Sequence, residues 1–140
     1  MRLFSAIPFT LFSLLIYNGF AFTVGAADPG FWSQPIITIA MVSGATFQLL
    51  ASDLLITIGL FFLFIEILKA TRIGTTALLD HMFSVLVFVA YLVEFLVLQQ
   101  AATSLFFILM AISLIDVIAG FSISITGARR DVSFGHDGMH

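Results

Sequence analysis

The chain has no cysteine among its 140 residues. That excludes disulfides, thiolate metal sites, iron–sulfur clusters, c-type haem attachment and dithiol redox chemistry. Charge is also scarce: Lys, Arg, Asp and Glu make up 9% of the residues, against about a quarter in ordinary soluble domains. With 61% hydrophobic residues, such a chain cannot fold as a soluble domain, and the bilayer is its solvent. The formal net charge of −3 hides a locally basic face, since some acids sit inside the apolar runs, and nucleic-acid binding is not supported. No Ser and His stand at a spacing usable for nucleophilic catalysis, and no phosphate or dinucleotide motif occurs, so the chain reads as a non-enzyme with no catalytic residue. Internal repeats and low-complexity segments are absent too.

What is present is apolar length. Long, mainly apolar runs extend from Leu3 to Val24, Ile36 to Leu68, Leu78 to Leu98 and Leu105 to Ile125, and about 20 apolar residues cross a hydrocarbon core of about 30 Å. The sequence therefore predicts an all-α membrane protein, an antiparallel four-helix transmembrane bundle with spans near 3–25, 46–68, 78–98 and 104–126, and a short tail over 127–140. The second run is too long for one crossing, since a straight helix from Ile36 to Leu68 would reach about 50 Å at about 1.5 Å per residue. A break is expected at Ser43-Gly44-Ala45, leaving Ile36 to Val42 as an interfacial helix or re-entrant piece before the second crossing. The N-terminal run resembles a secretory signal followed by small residues. It exceeds the usual h-region of about 7 to 15 residues, however, and a retained first helix is expected.

The basic residues give an orientation. Four crossings put Arg2, Lys69, Arg72, Arg129 and Arg130 on one side and only Asp28 on the other, so both termini are expected in the cytoplasm. The outer loop then holds the turn Asp28-Pro29-Gly30 and the pair Phe31-Trp32, with Trp32 suited to the headgroup layer. The short basic loop after Lys69 predicts that the second and third helices are antiparallel neighbours.

Polar residues inside the apolar runs are the candidate site, because an ionisable group at mid-helix costs about 2.5 to 3.5 kcal/mol on insertion scales and so faces a bundle interior, a cavity or a partner. Asn18, Asp53, Tyr91, Glu94 and Asp116 form the expected intramembrane polar cluster, with Tyr91 and Glu94 one turn apart and able to share a hydrogen bond. Ser113, Gly120, Ser124 and Gly127 fall with Asp116 on one helical stripe of small residues, the surface helices use to pack closely in lipid. A second stripe joins Asp80, Ser84, Tyr91 and Glu94. Glu66, Lys69, Arg72, Asp80, His81, Arg129 and Arg130 read as charges of the cytoplasmic face, Glu66 pairing there with Lys69. No Lys or Arg falls deep in a run, so each deeper acid must be protonated, hydrated, bound to a cation or paired with another protein. Interhelical hydrogen bonding is the plainer account of these acids, and a proton or cation site the sharper one.

His81 alone cannot supply paired axial haem ligation. His136, Asp137 and His140 are a weak clamp on a chain end, so no metal and no cofactor is assigned. The seventeen phenylalanines serve lipid contact and packing.

The strings Ile65-Glu66-Ile67-Leu68-Lys69-Ala70-Thr71-Arg72, Asp80-His81, Leu92-Val93-Glu94-Phe95-Leu96, Asp116-Val117-Ile118-Ala119-Gly120-Phe121 and Ala128-Arg129-Arg130-Asp131 resemble those of small uncharacterised four-span inner-membrane proteins of proteobacteria. The resemblance covers about half the chain. It implies a bacterial inner-membrane location and brings no activity.

Two function classes stay open. The first is an accessory or assembly subunit of a larger membrane complex, with the lipid bilayer and a membrane-protein partner or second copy as its contacts. The alternative is an oligomeric proton or cation conduit using Asp116, Asp53 and Glu94. The accessory reading is preferred.

Overall fold

The computed structural model describes residues 6–72 and 75–134. Helices α1 (Thr10–Phe22), α2 (Val24–Ala27), α3 (Ala51–Ala70), α4 (Thr75–Val97) and α5 (Ser104–Phe134) dominate it. Four helical stretches are long and apolar enough to cross a membrane: Thr10–Ala27, Ala51–Ala70, Ala77–Val97 and Ser104–Arg130. The chain is a mostly helical, multi-pass membrane protein.

The first helix starts later than the apolar run suggests. Pro8 lacks an N–H, and helical bonding begins beyond it, where Leu11 N–H donates to the Pro8 carbonyl and Phe12 N–H to that of Phe9. At the other terminus α5 runs on through Gly127 and Arg129-Arg130 to Phe134, well past the predicted end near residue 126. Leu3, Arg2 and the terminal His136, Asp137 and His140 lie outside the described residues.

The largest departure lies between the first two spans. Residues Ile36 to Val42 are not an interfacial or re-entrant helix: β1 (Pro35–Ala40) and β2 (Thr46–Leu50) form a two-stranded antiparallel hairpin. The chain does break at the predicted place. Gly44 holds a positive φ of 84° that side chains rarely adopt, and the turn closes with Met41 N–H on the Ala45 carbonyl and Gly44 N–H on that of Met41. Three isoleucines, two threonines, Val42 and Phe47 supply the β-branched and aromatic residues that fit strands. Because β2 takes residues up to Leu50, the second span begins at Ala51 rather than Thr46.

Helix packing also differs from expectation. The last helix, α5, packs most extensively against α3 and α4, with α1 laid across α3 and α5. The second and third spans, α3 and α4, are not close neighbours along their lengths despite their short connection. They meet at their linked ends through the ion pair of Lys69 with Asp80. Contacts fix the relative directions: α1 and α5 oppose each other, since Thr10 meets Asp116 while Tyr17 meets Thr103, and α4 opposes α5, since His81 meets Ser124 while Tyr91 meets Phe106. Tyr17, Tyr91, Phe106 and Leu109 are the most buried large side chains of the core.

At the end of the helices that carries the hairpin, aromatic stacking holds the connection down. Trp32 stacks on Tyr17 with ring centroids 5.2 Å apart and Phe31 on Phe20 at 5.5 Å. Asp28 accepts from Gly30 N–H and from the Gln34 side chain, and the Gln34 carbonyl accepts from Ala51 N–H. The hairpin leaves from this anchored point.

Candidate functional site

The polar side chains of the interior sort into three levels. At the end that carries the basic residues, Lys69 Nζ donates to Glu66 Oε1 at 3.1 Å and Oε2 at 3.2 Å, to Asp80 Oδ1 at 3.1 Å and to the Ile7 carbonyl at 3.1 Å. Glu66 also accepts the Phe9 N–H, and the ammonium lies 5.2 Å from the Phe9 ring centroid. This group is not an exposed surface pair. Glu66 is 2% and Asp80 6% exposed, so Lys69, at the last turn of α3 with its side chain 12% exposed, is a largely covered counter-ion shared by two helices. Beside it His81 Nε2 lies 2.7 Å from Ser124 Oγ, and its ring stacks on Phe121. A methyl group at Gly120 would come within 2.2 Å of that ring, so the glycine is what admits the histidine.

One level deeper, Asp116 is 6% exposed and accepts from the Thr10 hydroxyl at 3.3 Å, with Ser84 of α4 close by. The Thr10 contact is long for a hydroxyl bond. Tyr91, on the neighbouring turn, donates to the Thr10 carbonyl at 3.2 Å. Helices α1, α4 and α5 thus meet around Asp116. Next to this group, Ser13 Oγ and Ser113 Oγ are buried without any hydrogen-bond partner.

The third level lies toward the hairpin end. There Asn18 Nδ2 donates to Glu94 Oε2 at 2.8 Å, and Tyr17 donates to the Gln100 carbonyl at 2.6 Å with Thr103 Oγ1 at 2.8 Å.

The expected five-residue cluster is therefore divided. Asn18 and Glu94 form one pair, and Tyr91 and Asp116 meet through Thr10. Tyr91 and Glu94 do not share the hydrogen bond that their spacing allows, because the Tyr91 hydroxyl is engaged by Thr10. Asp53 is apart from both. It sits in the first turn of α3, where Oδ2 accepts from Leu50 N–H at 3.2 Å, a capping role favoured by the helix dipole. Its expected depth fails because the helix starts five residues later than predicted.

The stripe on α5 is likewise turned inward. Ser113, Asp116 and Gly120 are buried against the chain's own helices and Ser124 is held by His81, while a methyl group at Gly127 would meet nothing within 4 Å. Arg72 and Arg129 are exposed. Thr10 was missed as a partner of Asp116, and Ser13 as a buried hydroxyl one turn along from it. Their signal was legible, since Thr10, Ser13, Tyr17 and Ala21 follow the three and four spacing of one helix face.

The hairpin is the reverse of this interior. Its register pairs Ile37 with Leu49 and Ile39 with Phe47, and on the other face Thr38 with Gln48 and Ala40 with Thr46. Directly paired residues share a face. One face is thus apolar and the other polar but uncharged. Ile37, Ile39 and Phe47 are each nearly half exposed, and Val42 at the tip is fully exposed. No charged residue occurs between Asp28 and Asp53. Comparison with family models, curated proteins and solved structures finds no match for this chain.

Proposed function

We propose that the chain is a small accessory or assembly subunit of a larger complex in a bacterial inner membrane, and that its hairpin is the docking element. In this reading it is an antiparallel four-helix bundle with both termini in the cytoplasm and the hairpin on the opposite side, as the distribution of the five basic residues favours. The observation that carries the reading is the amphipathic hairpin, whose apolar face leaves Ile37, Ile39 and Phe47 nearly half exposed. The small-residue stripe and the intramembrane acids are engaged within the chain, so docking falls to this element.

A protein partner suits the hairpin better than lipid. Its outer edges carry unpaired backbone N–H and C=O groups, which cannot enter hydrocarbon, and its polar face has no Lys or Arg of the kind that fastens interfacial elements to headgroups. The edges also lack charged side chains that would discourage a further strand. A partner strand added to the edge, with side chains over Ile37, Ile39 and Phe47, satisfies both features. The test is complex size on native gels after extraction in mild detergent. Ile39→Glu should release the protein from its complex at unchanged expression, with about a tenfold loss of complex, because a carboxylate replaces a contact worth about 1.5 kcal/mol or more. Undiminished complex in Ile39→Glu and in Phe47→Lys would reject the reading.

A second reading, an oligomeric conduit for protons or cations, is favoured by the succession of acids at several depths: Glu66 and Asp80, then Asp116, then Glu94. Carboxylate-dependent flux in liposomes, lost in Asp116→Asn with assembly unchanged, would put it ahead of the accessory reading.

A further inference from the structure

We propose that Asp116 is the anchor of a binding site for one monovalent alkali cation inside the helices, completed by the hydroxyls of Thr10, Ser13, Ser84 and Ser113. The argument begins with register. Helices α1 and α5 run in opposite directions with Thr10 against Asp116. One turn further along both, Ser13 on α1 comes level with Ser113 on α5. The Tyr17 ring packed on Phe106 at 4.8 Å continues the same pairing another turn on.

Ser13 and Ser113 are 3% and 0% exposed, and neither hydroxyl has a hydrogen-bond partner. A helical serine ordinarily bonds back to the carbonyl one turn earlier. Two that do not, each about one helical turn in sequence from Thr10 or Asp116 on packed helices, are oxygen donors without an assignment. Gly59 brings α3 close to Ser13: a methyl group there would stand 3.6 Å from Ser13 Oγ, 3.1 Å from Leu109 and 3.4 Å from Ile112.

Charge gives the sign of the ligand. Glu66, Asp80 and Asp116 are three carboxyl groups, and among the described residues the ammonium near them is Lys69 alone, bound to the first two. The other titratable neighbour is His81, turned toward Ser124 and Phe121. Asp116 has hydroxyl partners only, one of them at 3.3 Å. An interior with more carboxylates than cations favours a positive guest.

The donor set narrows the guest further. One carboxylate and neutral hydroxyl oxygens suit a hard ion. A single negative charge matches a single positive one, whereas calcium sites recruit several carboxylates. The absence of nitrogen and sulfur donors around Asp116 disfavours transition metals. The site stands whether or not the hairpin docks.

The test uses the purified full chain in non-ionic detergent and sodium or potassium chloride as the probe, with choline chloride holding ionic strength constant. Thermal unfolding should shift upward and saturably with the alkali cation, by about 5 °C or more at a hundred times the half-saturating concentration. Ser13→Ala and Ser113→Ala, which keep the fold and the carboxylate, should each raise the half-saturating concentration about tenfold. Asp116→Asn should abolish the shift. Coincident curves in alkali and choline salts overturn the proposal. So does a shift that persists unchanged in Ser13→Ala and Ser113→Ala, or stabilisation that follows falling pH and ignores the alkali cation, which would place a proton on Asp116 instead.

Discussion

In the end of the molecule that holds Lys69, three acids are removed from lipid and each meets a group of its own chain. In the hairpin, Ile37, Ile39 and Phe47 are apolar and yet nearly half exposed. The two regions invert the usual arrangement, in which charge stays out and hydrocarbon goes in. The inner region shows how a membrane protein can bury ionisable groups: Lys69 offers three donors to two carboxyl groups and a carbonyl, so the cost of burial is offset by several hydrogen bonds. The hairpin shows what is left unfinished. Its missing contacts have to come from another molecule.

Breaking the inner region should cost most. Lys69→Met leaves Glu66 and Asp80 buried without their counter-ion, and loss of one member of such a group costs about 3 to 5 kcal/mol. Thermal unfolding in detergent should record a large drop, and adding Glu66→Gln and Asp80→Asn should return most of it. A small effect of Lys69→Met alone would show that the acids do not depend on the ammonium.

Next in size is the close approach of α4 to α5. Gly120→Ala drives a methyl group into the His81 ring, so the ring must move and give up Ser124, for about 1 to 3 kcal/mol. Gly127→Ala, with open space around it, should change stability by less than about 0.5 kcal/mol. Equal effects at the two glycines would contradict the inward turn of the stripe. Asp53→Ala should cost about 1 kcal/mol through loss of the α3 cap, with no effect on the cation response of Asp116.

Much of this was legible beforehand, and the failures have physical causes. The four crossings and their approximate places follow from apolar length, which the bilayer enforces. Asp80, Ser84 and Tyr91 on the third crossing and Ser113, Asp116 and Gly120 on the fourth lie inward, Ser124 and Gly127 do not, and Asn18 meets Glu94. The hairpin was misread because length was weighed and alternation was not. Ile37, Ile39, Phe47 and Leu49 alternate with Thr38, Gln48 and Thr46 at the two-residue period of a strand. Moving the start of α3 to Ala51 then turned Asp53 from a buried acid into a cap. Glu66 was read as an interfacial charge because Lys69 stood near a run's end; the Ile7–Phe9 segment ahead of α1 reaches both of them, which no local pattern encodes. Adjacency of α3 and α4 failed for a similar reason, since a short loop constrains the ends of two helices and leaves their flanks to whichever helix packs best.

For the hairpin, the smallest effect is also informative. Ile39→Glu should change the unfolding temperature of the isolated protein very little, within about 0.5 kcal/mol, because the side chain touches little of its own chain. A large destabilisation would mean that the hairpin belongs to the core after all.

The most direct test of the docking claim is site-specific photo-crosslinking in native membranes. A photoreactive residue is placed in turn at Ile37, Ile39 and Phe47 on the apolar face of the hairpin, at Thr38 on its other face, and at Phe61 and Phe64 on the exposed side of α3. The account predicts one discrete protein adduct from Ile37, Ile39 and Phe47, absent from Phe61 and Phe64 and lost when Ile39→Glu is combined with the label at Phe47. Adducts to lipid alone from the apolar face, or the same protein adduct from every position, would contradict it.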